Sequence, residues 1–512
     1  MTLDPRTPVI VGAGQYLHRA GAVDGQLRDP REPAELMEIA TRAAASDAGL
    51  DGLPSFDSVR VVNIIGWRYR NAPRFLADRV GSPDAHLAET TAGGNSPQML
   101  VNRTALDVLD GSVDVALLSG AEAFRTYMTA RSAGQRLPWP KAEDGDVPDR
   151  IGTPLDMNHP HERDLEIVAP VQIYPMFETA LRAEAGRTPA EHTAYLGRLW
   201  SGLSHVAASN PHAWIRDAKS PDEVTTVGPD NRMIGLPYPK LMNSNSSVDM
   251  GAALIVCSAE AAERLGVPRD RWVFPLSGTD CHEHPFVSNR DTFSRTPAIE
   301  LGARRALEMA ARDIDDVELS DLYSCFPSAV QLGARSIGID PLERQWSRTG
   351  GLPFGGGPWN NYPMHAIATV VGELRDSSDA TAFVWANGGY ATKHSFGVYA
   401  SAPPDRQFRH ASPQDEIDAL PRRYLAGGAD AAGSAEVEAY TVMFDRDGEP
   451  EKAIAACRLT DGRRAWGLSR DAEVTTAMTT GAWVGRSVQN RFGGFSAGLR
   501  AVQIDADALL TA

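Results

Sequence analysis

Residues 97–124 read PQMLVNRTALDVLDGSVDVALLSGAEAF, and this stretch decides the fold class. Residues 97–110 have apolar side chains at helical spacing and a proline in the first turn, where its missing N–H costs little. Gly111 is expected to end this helix, and residues 113–119 are typical of a buried strand. Another strand is predicted over residues 58–65. Strands that alternate with helices predict a parallel sheet covered by helices.

The same order of elements returns in the second half of the chain, which indicates an internal duplication. The predicted elements there are a helix over 297–311, a strand over 317–322, a helix over 363–374 and a strand over 382–385.

Two other regions depart from this alternation. Residues 124–245 are polar and rich in Pro and His, and they predict an inserted domain with helices near 176–185 and 190–208. After two prolines at 403–404 the composition changes, and a small all-β module is predicted. Its expected strands are 436–444, 454–459, 465–468 and 483–487.

Composition excludes several functional classes. The 512 residues carry a net charge of −16 with acidic and basic residues intermixed, so no nucleic-acid partner is expected. No run of about 18 apolar residues predicts a membrane helix, and no signal peptide is visible at the start. The four cysteines lie far apart without a CxxC, which favours reduced thiols in a cytoplasmic protein and predicts no metal site.

Five segments, in order, carry a resemblance to a known superfamily. They are TPVIVGAGQYLHRAG from residue 7, GSVDVALLSGAEAF from 111, ASNPHAW from 208, SSVDMGAALIVCSAEAAERLG from 246 and DVELSDLYSCF from 316. Together they resemble the thiolase superfamily, especially its sterol-carrier-protein-like branch. With the extra C-terminal module, the chain is most similar to thiolase-like proteins of type 1, which are commonly named acetyl-CoA acetyltransferase by similarity.

The resemblance implies a duplicated five-layered αβαβα thiolase fold with a loop domain and a C-terminal OB-like β-barrel. The implied domains are an N-terminal half (1–123 and 246–270), a loop domain (124–245), a C-terminal half (271–404) and the additional OB-like domain (405–512).

The resemblance also locates the catalytic positions, and most of them are altered. Gly94 stands where a thiolase carries its nucleophilic cysteine, and Ala386 stands where a second cysteine is expected. The backbone amides near Gly94, Gly388 and Gly389 are expected to form an oxyanion hole, because that role needs no side chain. Tyr323 replaces a polar group that helps to hold the thioester oxygen.

The Gly-Gly, five residues, His-Pro motif fits this chain in two registers. One puts Tyr362 in the histidine's place and the other puts Gly357 there. His365 lies three residues after Tyr362 and is a candidate for proton transfer. Lys393 and His394 are candidates for substrate binding or for the roles of acid and base, and Asn361 is a candidate for substrate binding.

These positions predict an enzyme that acts on C–C bonds of CoA thioesters without a cysteine nucleophile. Retro-aldol cleavage of a β-hydroxyacyl-CoA fits best, with Tyr323 together with His365, Tyr362 or His394 as the base. A non-catalytic acyl-CoA-binding or scaffold protein and acyl transfer of the acetyl-CoA acetyltransferase type stay open. The expected ligand is a CoA thioester, with no permanently bound cofactor, and an oligomer is possible.

Overall fold

The structure is a computed structural model that describes residues 3–23, 26–140, 147–492 and 502–504. The first part of the chain folds into strands β1 (Pro8–Leu17), β2 (Ala22–Val23), β3 (Gln26–Leu27), β4 (Ser58–Val61), β5 (His86–Thr90) and β6 (Val115–Ala123), and helices α1 (Pro33–Asp47), α2 (Ala72–Arg79), α3 (Ser96–Asp110) and α4 (Phe124–Ser132). The next segment contains β7 (Asp149–Ile151), β8 (Met233–Gly235) and β9 (Tyr238–Pro239), with helices α5 (Pro160–Asp164), α6 (Pro170–Glu184), α7 (Pro189–Ser209) and α8 (Pro221–Thr225).

The second half begins after β10 (Asp249–Ser258) and α9 (Ala259–Arg264). It contains β11 (Phe274–His282), β12 (Leu319–Leu322), β13 (Thr381–Gly388), β14 (Lys393–Ala400) and β15 (Arg409–Ala411), with helices α10 (Pro297–Ala310), α11 (Pro327–Ile337), α12 (Tyr362–Arg375) and α13 (Gln414–Asp418). The last elements are β16 (Gly433–Phe444), β17 (Pro450–Leu459), β18 (Arg464–Ser469), α14 (Ala472–Thr480), β19 (Ser487–Phe492) and β20 (Val502–Ile504).

Two mixed sheets form the centre of the molecule. Their strand orders are β1-β10-β6-β4-β5-β7 and β12-β13-β14-β11-β15. Helices α3 and α12 contact both sheets, whereas α1 and α2 cover the outer face of the first sheet and α10 and α11 cover that of the second. The predicted five-layered αβαβα order is therefore confirmed. The layer between the sheets is apolar, with side chains such as Leu100 and Ile367 fully buried.

The predicted C-terminal barrel is also confirmed. β16 pairs with both β17 and β19, β17 pairs with β18, and β20 joins β18 to β19, so five strands close into a ring. The prediction of an all-β module was wrong, because the short helix α13 precedes the barrel strands and α14 lies between β18 and β19. Asp471 accepts hydrogen bonds from the N–H groups of Glu473 and Val474 and so caps this helix. Residues 483–486, which were predicted to form a strand, precede β19 instead.

The inserted segment contributes to two sheets. β7 extends the first sheet beyond β5 in parallel register, with Ala88 opposite Asp149. β8 pairs with β16 and so joins the inserted segment to the C-terminal barrel. None of the helices in the described part of the chain is long and apolar enough to cross a membrane.

Candidate active site

The turn at residues 93–95, just before α3, has no space for a side chain at its centre. A Cβ atom on Gly94 would lie less than 3.0 Å from the Tyr323 hydroxyl and from the Asn387 carbonyl oxygen. Real Cβ atoms do not approach other atoms so closely, so the backbone at this position accepts glycine alone. The phenol of Tyr323 thus occupies the space into which a nucleophilic side chain at residue 94 would extend.

The Tyr323 side chain is only 7% exposed, and its ring packs edge-on against Tyr362 with 5.5 Å between ring centroids. Its hydroxyl makes no hydrogen bond with any residue in the described ranges. Burial raises the pKa of Tyr323 well above its usual value of 10.0. Tyr323 is therefore a neutral hydrogen-bond donor, and the raised pKa opposes the expected role as a base.

The second glycine turn follows β13 and lies against the first. A Cβ on Gly388 would be 3.1 Å from the Gly94 nitrogen and 2.7 Å from Asn95 Oδ1. Gly389 has a φ of +73°, a conformation that favours glycine. The Gly94 N–H donates to no partner among the described residues. A free amide at the start of a helix is suited to binding an oxyanion.

Tyr174 from α6 holds the second turn in place. Its hydroxyl donates to the Gly389 carbonyl at 3.0 Å and accepts the Ala391 N–H at 2.9 Å. It also accepts a hydrogen bond from Asn387 Nδ2 at 2.9 Å. Because the single hydroxyl proton of Tyr174 goes to the Gly389 carbonyl, the side chain of Asn387 must turn its nitrogen, a donor, towards the hydroxyl. Asn387 Oδ1 is then left buried and without a partner.

Lys393 is the first residue of β14 and lies on the other side of the first turn. Its ammonium group donates to the Ala92 carbonyl oxygen, and the side chain is buried, at 8% exposure. Burial lowers its pKa to about 8. The sequence suggested substrate binding or an acid–base role for Lys393, and the structure puts it beside Gly93 and Asn95.

Tyr362, the first residue of α12, has a hydroxyl that is already hydrogen-bonded. It donates to Asp321 Oδ1 at 3.0 Å and shares a 2.8 Å hydrogen bond with Thr349 Oγ1. Burial raises the pKa of Asp321 to about 6. The alternative register places Gly357, whose Cβ would collide with Ser244 Oγ, in the histidine's position. In either register the position lacks an imidazole.

The two histidines that were expected to transfer protons make no hydrogen bond to Tyr323. His394 is fully buried, its Nδ1 accepts from Trp385 Nε1 at 3.2 Å, and its Nε2 lies 3.2 Å from the Ala391 carbonyl. His365 Nδ1 lies 2.9 Å from Gln15 Oε1, on β1. Burial lowers the pKa of each histidine to about 3, so both are neutral and poor bases.

Asn361, expected to bind substrate, has a structural contact. Its Nδ2 donates to the Gly120 carbonyl at 2.6 Å and so joins α12 to β6, while its Oδ1 is buried without a partner. The neighbouring Asn360, which sequence reasoning missed, accepts the Gly93 N–H at 2.9 Å and fixes the first turn.

No cysteine in the described residues provides an activated thiolate. All four are buried. Burial raises the pKa of Cys325 to about 12 and raises those of Cys257 and Cys281 further. A thiol in such an environment is a poor nucleophile at neutral pH.

A cleft of about 610 Å³ reaches the first turn from the surface. Its inner end is lined by Asn95 and Lys393, and its walls include the apolar side chains of Met99, Ile151 and Leu155. A volume of this size accommodates a small organic ligand.

Comparisons with known proteins agree with this architecture. Residues 413–493 match the family described as the thiolase-like protein type 1 additional C-terminal domain. The crystal structure of a monomeric SCP2-thiolase-like protein type 1 from Mycobacterium smegmatis is 30% identical, covers 98% of this chain, and is itself covered to 100%, with a TM-score of 0.81. The chain belongs to the SCP2-thiolase-like proteins of type 1.

Similarity to three further proteins is more distant. An acetyl-CoA acetyltransferase of Methanocaldococcus jannaschii is 22% identical over 324 residues, which are 63% of this chain and 73% of that protein. An Ltp2-ChsH2(DUF35) aldolase is 18% identical with a TM-score of 0.56, and the match covers 78% of this chain and 99% of the aldolase. The human mitochondrial 3-ketoacyl-CoA thiolase is 17% identical with a TM-score of 0.53, over 78% of this chain and 100% of the thiolase.

Proposed function

We propose that this type 1 protein cleaves the Cα–Cβ bond of a β-hydroxyacyl-CoA by a retro-aldol reaction, without a covalent enzyme intermediate. One observation carries the proposal: the partnerless hydroxyl of Tyr323 fills the place beside Gly94 where a nucleophile would stand. A neutral donor at this place suits a reaction that makes an enolate, because the negative charge develops on the thioester oxygen.

Two hydrogen-bond donors of the site support this reaction. The Gly94 N–H and the Tyr323 O–H are unoccupied donors next to each other, as an oxyanion requires. When the Cα–Cβ bond breaks, its electron pair forms the enolate of the shorter thioester, and the β-hydroxyl carbon becomes a ketone or aldehyde. The likeness to an aldolase of the same fold agrees with this chemistry.

Acyl transfer of the acetyltransferase type has less support. That reaction needs a thiolate to carry the acyl group. Residue 94 has no side chain, and burial raises the pKa of the Cys325 thiol to about 12.

The test uses 3-hydroxy-3-phenylpropionyl-CoA, whose cleavage gives benzaldehyde and acetyl-CoA. We expect the protein to release both products in equal amounts, and Tyr323→Phe to release them at least about 100-fold more slowly. Acetoacetyl-CoA with free CoA is the control for thiolysis, and no turnover of it is expected. Equal rates for the two proteins, or no products from either, would overturn the proposal.

A non-catalytic acyl-CoA-binding role is the second candidate. It is favoured by the loss of both cysteine positions, Gly94 and Ala386. Calorimetry with the same ester separates the two. Binding without any release of benzaldehyde supports the binding protein over the enzyme.

A further inference from the structure

The cleft beside the first turn has walls in which most ionisable side chains lie against an ionisable neighbour. The pairs are Arg60 with Asp107 at 2.6 Å, Arg103 with Asp107 at 2.8 Å, Arg150 with Glu89 at 3.3 Å, His86 with Asp149 at 2.8 Å and His410 with Asp280 at 2.7 Å. These contacts hold the walls together, although Arg60 and Arg103 share the single carboxylate of Asp107.

Lys393, at the inner end, is different. Within the described ranges its amine has no carboxylate partner, and its one hydrogen bond goes to the Ala92 carbonyl oxygen. A buried ammonium without a counter-ion is costly, which favours the neutral amine. Burial lowers the pKa of Lys393 to about 8, so about a tenth of the amine is neutral at pH 7 and about half at pH 8.

Asn95 is the second unusual group at this end of the cleft. Its Nδ2 lies 3.4 Å from Ser395 Oγ, whose proton goes to Asp280 Oδ1 at 2.5 Å. The serine oxygen must therefore accept from Asn95, and Asn95 Oδ1 is left buried without a partner. A Cβ on Gly93 would lie 2.5 Å from Asn95 Oδ1 and 2.7 Å from Lys393 Nζ, so both groups pack closely against Gly93.

We propose that Lys393 is the base of the retro-aldol step and that the cleft holds the β-substituent of the substrate. This inference rests on the proposed function. Asn95 links the two groups, because its Oδ1 lies near Gly93 and Lys393 on one side and, with the Gly94 nitrogen, near Gly388 on the other. A thioester whose enolate oxygen is held by the Gly94 amide therefore directs its β-hydroxyl towards the amine.

The step is balanced without any co-reactant. The amine takes the β-hydroxyl proton, the C–O bond becomes C=O, and the Cα–Cβ bond breaks. Its electron pair moves to the enolate of acetyl-CoA, and the ammonium returns the proton to Cα. The Ala92 carbonyl accepts a hydrogen bond from the amine, and Asn95 Oδ1, which has no partner, is a second acceptor available to the transient ammonium.

The cleft also indicates the class of substrate. Apolar side chains (Met99, Leu106, Ile151 and Leu155) stand among the paired charges of its walls. A β-hydroxyacyl thioester whose β-carbon carries an aromatic or alicyclic group fits this lining better than a short-chain ester does.

Three variants test the assignment with 3-hydroxy-3-phenylpropionyl-CoA. Lys393→Met and Lys393→Arg should each lower kcat at least about 100-fold, because neither side chain accepts a proton near neutral pH. Lys452→Met is the matched control, since Lys452 is also buried, has a lowered pKa and donates to a backbone carbonyl, that of Leu165. The control should keep the wild-type rate.

The pH profile provides a readout that a structural role would not move. The kcat/KM of the wild-type protein should rise with pH and level off above about 8, as the amine loses its proton. A flat profile between pH 6.5 and 9, or an active Lys393→Arg, would overturn the assignment of Lys393 as the base.

An activity-independent measurement completes the test. The chain has five lysines (Lys141, Lys219, Lys240, Lys393 and Lys452), so reductive ¹³C-methylation gives few NMR signals. The signal that is missing from Lys393→Met should titrate near pH 8 and shift when acetyl-CoA is added. No shift would overturn the inference.

The two proposals fail in different ways. If the wild-type protein releases no benzaldehyde, the proposed function and this inference both fall. If Lys393→Met cleaves the ester at the wild-type rate, only the inference falls.

Discussion

Two buried tyrosines, at the end of β12 and at the start of α12, pack against each other but have opposite hydrogen bonding. Tyr362 is 1% exposed and its hydroxyl bonds to Asp321 and Thr349. Tyr323 is 7% exposed, and its hydroxyl has no partner in the described part of the chain. Buried polar groups in folded proteins are normally paired, so the unpaired hydroxyl is the one available to a ligand.

The largest effect is expected from adding a single methyl group beside Tyr323. In Gly94→Ala the new Cβ would lie less than 3.0 Å from the Tyr323 hydroxyl and from a backbone carbonyl. We expect a loss of about 1–3 kcal/mol in the free energy of unfolding, together with nearly complete loss of ester cleavage, because the phenol is displaced. Chemical denaturation and the benzaldehyde assay measure the two effects.

The matched control is Gly202→Ala, at an exposed position of α7 with no atom within 4 Å of the new Cβ. It should stabilise the protein by up to about 1 kcal/mol through helix propensity. A Gly94→Ala protein as stable and active as this control would show that the two turns do not lie as closely as described.

The second effect separates the tyrosines by function. Tyr323→Phe should lower kcat by about 10²–10³-fold, as expected for loss of an oxyanion donor. The free energy of unfolding should stay nearly unchanged, because no hydrogen bond within the described part of the protein is lost. A clear fall in stability would mean that this hydroxyl has a structural partner.

The third effect is on stability rather than on turnover, the opposite of what is expected for Tyr323→Phe. Tyr362→Phe removes a donor from Asp321 and should cost about 1–3 kcal/mol of stability, with less than a tenfold change in turnover. The pKa of Asp321, about 6 against 3.8 for an ordinary Asp, should rise further. The folded state binds the extra proton, so this group's contribution to stability falls as pH rises from 3.8 to 6.

Denaturation curves at pH 4, 5, 6 and 7 measure this effect. In Tyr362→Phe the decrease of the unfolding free energy with rising pH should continue to higher pH than in the wild-type protein. An identical pH dependence in both proteins would contradict the hydrogen bond from Tyr362 to Asp321.

The sequence predicted the regular parts of the fold well, because these depend on local patterns. The helix expected over 97–110 is α3, and the strand expected over 113–119 lies largely within β6. The paired strand β14 was missed because its first residues, Lys393 and His394, are polar, although both are buried between neighbouring strands. Burial of polar residues is decided by tertiary contacts, which periodicity does not reveal.

The site shows the same limit. Motif order located Gly94, Tyr323 and the glycines after β13, since those positions need no knowledge of contacts. It did not distinguish Tyr323 from Tyr362, because the difference lies in Asp321, a residue distant in sequence from Tyr362. Asn95 and Asn387 went unnoticed because their importance comes from an oxygen left without a partner.

The smallest effect on turnover is expected from a histidine that the sequence favoured and the structure does not. His394 has both ring nitrogens at hydrogen-bonding distance from neighbours, and burial lowers its pKa from 6.5 to about 3. It is neutral in the folded protein, whereas the unfolded chain takes up a proton below pH 6.5. Stability should therefore fall as pH drops from 6.5 towards 3, by up to about 1.4 kcal/mol per pH unit for this one group.

His394→Gln should reduce that slope and leave kcat within a few-fold of the wild-type value, because no proton passes through the ring. His205→Gln, on the exposed face of α7, is the control and should keep the wild-type slope. Unfolding free energies at pH 5 and 7 give the slopes, and the benzaldehyde assay gives kcat. A hundredfold loss of turnover in His394→Gln, with an unchanged pH dependence of the unfolding free energy, would return the proton-transfer role to the histidine. Hydrogen bonding would then no longer distinguish the structural side chains of the site from those that act on the substrate.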